Sequence, residues 1–218
     1  MKFFSTEGGL YKFMTSLFSV FKINMLWLIC SLPIVTMGAA TIAAYDVLLK
    51  MVDDQEGYVG RQFWKAFKAN LKMGIPLGLL NIACVYIVWL DFSLFEGLPG
   101  NPIFLLIMGI VATIVFIASF LYVYPLLARY DNTLFRSLEN SATIARRYYG
   151  RTVLLVVVVA IELIMILWNS TTLFIGALIG PACIMYTISG MAKSIFRMIE
   201  KEPGAVSNPE QLEGEDRR

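Results

Sequence analysis

The chain has no histidine in its 218 residues. That removes the side chain best suited to acid–base work near neutral pH and the commonest transition-metal ligand. Cysteine is scarce as well: Cys30, Cys84 and Cys183 stand alone in apolar surroundings, far apart in sequence. Such spacing suits neither a metal cluster nor a disulfide framework, and reads as three small buried hydrophobes. No P-loop and no Gly-x-Ser-x-Gly elbow occurs, so Walker-type nucleotide binding and that route to a serine nucleophile are unsupported. The expectation is a protein that is not an enzyme and holds no cofactor or metal. Charge is thin too: 16% of residues are charged and 58% are apolar, against about 25% and 45–50% in a soluble domain.

Where the cations are missing is more telling than their number. All 18 Lys and Arg fall within residues 2–22, 50–72, 129–151 and 193–218. The runs 23–45, 73–90, 103–128, 152–168 and 173–192 contain no basic residue, and Glu162 is their one acid. Runs of that length match the ~30 Å hydrocarbon core that about 20 helical residues cross. The fold class is therefore all-α: a polytopic transmembrane bundle of five or six segments. It forms a single membrane domain over residues 1–199, followed by a polar, disordered tail over 200–218.

Lys and Arg concentrate in cytoplasmic loops. Segments 50–72 and 129–151 and the C-terminal tail are placed inside on that ground. The connectors 91–102 and 169–172 lack cations and are placed outside, which predicts a multi-pass protein of the cell membrane with a cytoplasmic C-terminus. Lys2, Lys12 and Lys22 favour a cytoplasmic N-terminus too, which would go with an even number of spans. Two arrangements fit. Either 23–45 is one span after an outside N-terminus, or 11–32 and 36–51 form a hairpin broken at Pro33, where a helix hydrogen bond is lost. The hairpin is the preferred arrangement, although it sets Lys22 at membrane depth unless its ammonium reaches the interface. The long polar lead-in, with no small-x-small cleavage site, predicts that the first apolar segment is retained.

Residues 61–72 carry Arg61, Lys65, Lys68 and Lys72 on one helical face and Phe63, Trp64, Phe67 and Leu71 on another. This spacing predicts an amphipathic helix at the headgroup boundary, cations towards anionic lipid. Residues 133–151 repeat the pattern with Leu134, Leu138, Ala142, Ala145 and Tyr149 on the apolar side, capped by Asp131, Asn132 or Thr133. Residues 11–22 offer a third copy. The chain thus reads as three amphipathic-helix-plus-hairpin units in parallel orientation, with 41–54 echoing 187–200. These basic stretches are short and lie beside the membrane, so lipid headgroups rather than nucleic acid are the expected counter-charge. Gly74/Gly78 and Gly176/Gly180 have the small-xxx-small spacing that brings helices close. The sequence leaves the oligomeric state undetermined.

Glu162 is the one acidic residue in an otherwise apolar run, and intramembrane acids usually face protein or a water-filled cavity. At 1.5 Å per residue it lies roughly 16 Å beyond Arg151; Asn81 lies roughly 13 Å beyond Lys72 and Ser119 roughly 15 Å from Arg129. Glu162, Asn81 and Ser119 are therefore expected at one level, as a candidate polar site or as interhelical hydrogen bonding. Trp27, Trp89 and Trp168 fall near span ends, as in an aromatic belt.

Several of these stretches, taken in order, resemble the YesL-like family of small integral membrane proteins of unknown function. They are Asn24 with Trp27, the run 32–40 with Pro33, Thr36 and Gly38, then Gly57-Tyr58 and the run from Phe63 through Trp64 and Phe67 to Asn70. The segment 124–129 and Leu138-Glu-Asn-Ser-Ala142 fit as well. The family occurs mostly in Gram-positive bacteria, beside carbohydrate ABC importers. The resemblance implies a role in oligosaccharide uptake, with permease or ATPase subunits as partners, and brings no catalytic residues. The other function open to the sequence is a stand-alone small-molecule carrier with its pocket around Glu162.

Overall fold

The computed structural model describes residues 9–53, 57–97, 103–130 and 132–201, with side chains from Met14 to Glu200 within those ranges. The expected tail beyond Lys201 lies outside the described residues, as does Asp131, one of the three candidate caps. The described residues form nine α-helices: α1 Gly9–Ser31, α2 Met37–Met51, α3 Val59–Ala69, α4 Leu71–Gly97, α5 Ile103–Phe120, α6 Val123–Arg129, α7 Leu134–Arg147, α8 Tyr149–Leu167 and α9 Ser170–Lys201. Among the described residues six stretches are long and apolar enough to cross a membrane: Met14–Ser31, Ile34–Met51, Leu71–Gly97, Ile103–Arg129, Tyr149–Leu167 and Ser170–Glu200. The protein is a helical bundle of the integral membrane type.

Pro33 divides the first apolar region into two helices. α1 stops at Ser31, Pro33 is extended, and a 3-10 turn over Ile34–Thr36 leads into α2. The carbonyls that α1 leaves open are met locally. The Thr36 hydroxyl lies 2.6 Å from the Cys30 carbonyl and 2.9 Å from that of Pro33, and Thr36 N donates to the Pro33 carbonyl. Thr36 is thus the capping device at the turn. Lys22 is exposed, and its ammonium lies 4.3 Å from the centre of the Phe18 ring, one turn nearer the N-terminal end of α1. This is the direction in which a lysine reaches for the interface.

α2 is the central helix, packed by α1, α3, α4, α6 and α9. Its Ala39, Ala40, Ala43 and Ala44 are fully buried, because small side chains admit neighbouring helices closely. The contact with α4 is closer still. A Cβ on Gly38 would strike the carbonyl oxygen of Gly74 and stand 2.7 Å from the amide of Gly78, and one on Gly74 would strike the Ala39 backbone. Two helix backbones touch here, as the spacing of Gly74 and Gly78 implied. The second pair holds another contact: Ile166 of α8 sits over Gly176 and Gly180 of α9.

α3 and α7 lie outside the six spans and carry the cations the sequence assigned to them. Arg61, Lys65, Lys68 and Lys72 are exposed. The aromatic face of α3 divides: Phe63 is fully buried beneath the bundle, Phe67 is half-buried beside it, and Trp64 is 44% exposed. Phe63 faces protein because α3 packs on α1 and α2, so of the three aromatic residues only Trp64 stays exposed. Asn70 ends α3, its amide donating to the Ala66 carbonyl at 2.9 Å. On α7 the buried positions are Ser137, Ser141, Ile144 and Ala145, while Tyr149 is exposed. Thr133 takes the N-cap position without a side-chain hydrogen bond. The 11–22 stretch is continuous with α1 rather than a separate helix.

Candidate functional site

Polar side chains inside a bilayer must find partners within the protein, and here most of them repair helices. Pro181 interrupts α9 and has no N–H for the Ala177 carbonyl one turn back. Asn24 of α1, fully buried, fills that place. Its Nδ2 donates to the carbonyls of Ala177 at 3.1 Å and Leu178 at 2.8 Å, while its Oδ1 accepts from the Ala182 amide at 3.1 Å. One turn on, Trp27 donates its Nε1 hydrogen to Thr41 Oγ1 of α2 at 3.0 Å. Asn24 and Trp27 therefore bind α1 to α9 and α2.

The same device recurs where α5 gives way to α6. The Ser141 hydroxyl donates to the Ala118 carbonyl at 3.1 Å and accepts from the Tyr122 amide at 3.2 Å. These are the two groups an unbroken helix would join directly. Tyr122, itself fully buried, reaches on to Thr152 of α8, the two hydroxyls 3.1 Å apart. Sequence patterning placed the apolar side of α7 on Leu134 and Leu138, and so passed over the serines that are buried.

The three residues expected to meet do not form one site. Asn81 donates to the Tyr124 hydroxyl at 2.9 Å, and the Tyr124 ring stacks on Tyr45 of α2 with centroids 6.3 Å apart. Ser119 is half-buried on α5 with no hydrogen bond among the described residues. Glu162 accepts from the Thr187 hydroxyl of α9 at 2.6 Å. A common depth fixes height in the membrane but not azimuth: α4 packs on α2 and α5, whereas α8 packs on α9.

Glu162 nevertheless lies in the most distinctive intramembrane site. Its Oε2 is buried and has no hydrogen-bond partner among the described residues. It borders a cavity of about 320 Å³ between α8 and α9, lined also by Ile166, Gly176, Ile179, Gly180 and Cys183. The two glycines lower the floor of this groove. A carboxyl group placed here can hold a proton or receive one donor from a ligand or a partner helix.

At the basic end of the bundle a second polar cluster joins the C-terminal ends of α2, α6 and α9. Lys193 is 4% exposed; its ammonium donates to the Leu49 carbonyl at 2.6 Å and pairs with Asp53. Arg197 pairs with the other oxygen of Asp53 at 2.5 Å, and Arg129 with Glu200 at 2.7 Å. The hydrogen bond from Lys193 holds the Asp53 carboxyl below its ordinary range, with the Arg197 charge acting in the same direction. Lys193 opens the basic tail directly after the run 173–192; its position, inward on α9, is what the sequence pattern did not reveal.

Residues 20–92 match the profile of a family described as protein of unknown function, DUF624, the family to which YesL-like proteins belong. The matched region runs from Val20 in α1 through α2 and α3 into α4. It contains Asn24, Trp27, Pro33, Thr36, Gly38, Phe63, Trp64, Phe67 and Asn70, of which Asn24, Trp27, Gly38 and Phe63 hold helices together. No curated protein and no solved structure matches the chain.

Proposed function

We propose that this chain, whose residues 20–92 carry the DUF624 region, is a non-enzymatic accessory protein that binds another membrane protein, and that it serves carbohydrate import through an ABC transporter. One observation carries this reading: Asn24, Ser141, Tyr122, Thr152, Asn81 and Tyr124 all bond across helices, so none of these groups is free to line a transport path. Among the described residues, three features offer themselves to a partner. They are the Glu162 groove on the flank of α8 and α9, and the exposed residues of the two helices outside the membrane, Trp64 of α3 and Phe135 of α7, the latter 79% exposed. Aromatic side chains flanked by Arg and Lys are typical anchors of protein interfaces. With α3, α7 and the C-terminus on the cytoplasmic side, as the cations require, these helices stand where permease loops and ATPase subunits lie. The sugar-import assignment rests on the family resemblance. Purification in mild detergent from the native host, with mass spectrometry of what accompanies the chain, tests it: a transporter permease at stoichiometric yield is expected.

One observation favours a second reading, a small carrier. The free Oε2 of Glu162 beside a cavity of about 320 Å³ suits a protonatable or amine-bearing solute. Flux into liposomes containing this protein alone, abolished by Glu162→Gln, is the result that would favour it.

A further inference from the structure

A second cavity, of about 410 Å³, opens between α1 and the start of α3, lined by Ser19, Lys22, Gly57, Tyr58, Gly60 and Arg61 among others. Among its described lining residues the charge is all of one sign. Lys22 and Arg61 are exposed cations on two different helices, and the described residues that line it include no acid. The first turn of α3 opens onto it, and the amides of Val59, Gly60 and Arg61 have no acceptor within their own helix. Together with the positive end of the helix dipole they favour an anion. Gly60 keeps the approach clear, since a Cβ there would meet nothing within 4 Å.

Ser19 is an independent pointer to a ligand. It is 92% buried, being 8% exposed, and it lines this cavity. Its hydroxyl has no hydrogen bond among the described residues, in contrast to Ser141 and Ser189, and unlike the enclosed, unpartnered hydroxyl of Ser137 it belongs to a residue that opens onto a cavity. A hydroxyl on a residue this buried, lining the same cavity as two cations and a row of helix amides, lacks an acceptor.

We propose that this cavity binds one phosphate group, held by the Arg61 guanidinium, the Lys22 ammonium, the Ser19 hydroxyl and the α3 amides. Arginine engages two phosphate oxygens at once, while lysine supplies a point charge. A phosphate can come from an anionic lipid headgroup or from a soluble phosphate ester, and the site chemistry is the same for both.

The test uses the full chain in nanodiscs of phosphatidylcholine, with binding followed by ³¹P NMR. One arm titrates phosphatidylglycerol into the discs and the other adds inorganic phosphate. Saturable binding of about one phosphate per chain is expected, weakened at least tenfold in Lys22→Gln and in Arg61→Gln and unchanged in Lys65→Gln, a cation of α3 outside the cavity. Saturation by the lipid alone assigns a headgroup, and saturation by inorganic phosphate assigns a soluble ester; either supports the proposal. If a glutamine variant fails to fold, Arg61→Lys and Ser19→Ala carry the test, each expected to weaken binding severalfold. Binding by neither probe, or equal loss in Lys65→Gln, overturns it.

Discussion

Asn24 bonds to both sides of the interruption that Pro181 makes in α9: it donates to the carbonyls of Ala177 and Leu178 and accepts from the amide of Ala182. A residue of the first span thus completes a helix of the last. Asn24→Ala leaves buried backbone groups without partners in a setting where water cannot replace them. The expected cost is about 1–3 kcal/mol, seen as earlier thermal unfolding in detergent. Asn24→Ala unfolding together with the wild type would contradict this role.

Gly38 and Gly60 make a matched comparison. Gly38→Ala drives a methyl group into the backbone of α4, whereas at Gly60 a methyl group meets nothing within 4 Å. Overpacking of this kind costs about 1–3 kcal/mol, and α2 is the centre of the bundle. Gly38→Ala is expected to lower stability or yield, with Gly60→Ala near wild type; equal behaviour of the pair in a thermal scan would remove the backbone contact as their distinction.

Asp53 sets the acid limit of the basic end. Its carboxyl is held below the ordinary value of about 3.9 by the hydrogen bond from Lys193. A carboxyl with a lowered folded value contributes stability that is complete above its unfolded value and is lost as pH falls through the folded one. Stability should therefore decline below about pH 4. Asp53→Asn should be less stable near neutrality and flatter across that acid range, as measured by chemical unfolding at stepped pH. A wild-type slope retained in Asp53→Asn would assign the acid sensitivity to another group.

Much of this architecture was legible in the chain. Gaps between cations marked the apolar spans, and Pro33, with too many basic residues on both sides for a single crossing, divided the first region into two. Gly74 and Gly78 announced the close crossing by their spacing. What escaped was azimuth. Glu162, Asn81 and Ser119 share a depth, yet Glu162 pairs with Thr187 and Asn81 with Tyr124, because depth along separate helices carries no information about which faces meet. Ser141 escaped for a related reason: amphipathic patterning assumes that buried means apolar, whereas a broken helix in a membrane calls for a hydroxyl. Asn24 was legible only as part of a motif, since its partners lie more than 150 residues away.

Glu162→Gln separates the two readings of the intramembrane groove. Gln keeps an oxygen for the Thr187 hydroxyl and removes the titratable charge. With Glu162 as part of a docking seam, the variant is expected to fold normally and to recover a partner in reduced amount, with no solute flux in either protein. Flux by the wild type alone in liposomes, lost in the variant, would instead support the carrier.

Partner binding is tested most directly in the membrane itself. A photoreactive amino acid placed at Phe135 of α7, and separately at Trp64 of α3, is activated in intact cells taking up carbohydrate, and the adducts are identified by mass spectrometry. The predicted result is a discrete adduct with a permease or ATPase subunit from at least one position. Adducts with lipid alone from both positions, in cells where the transporter is present, would contradict an accessory role exercised through these helices.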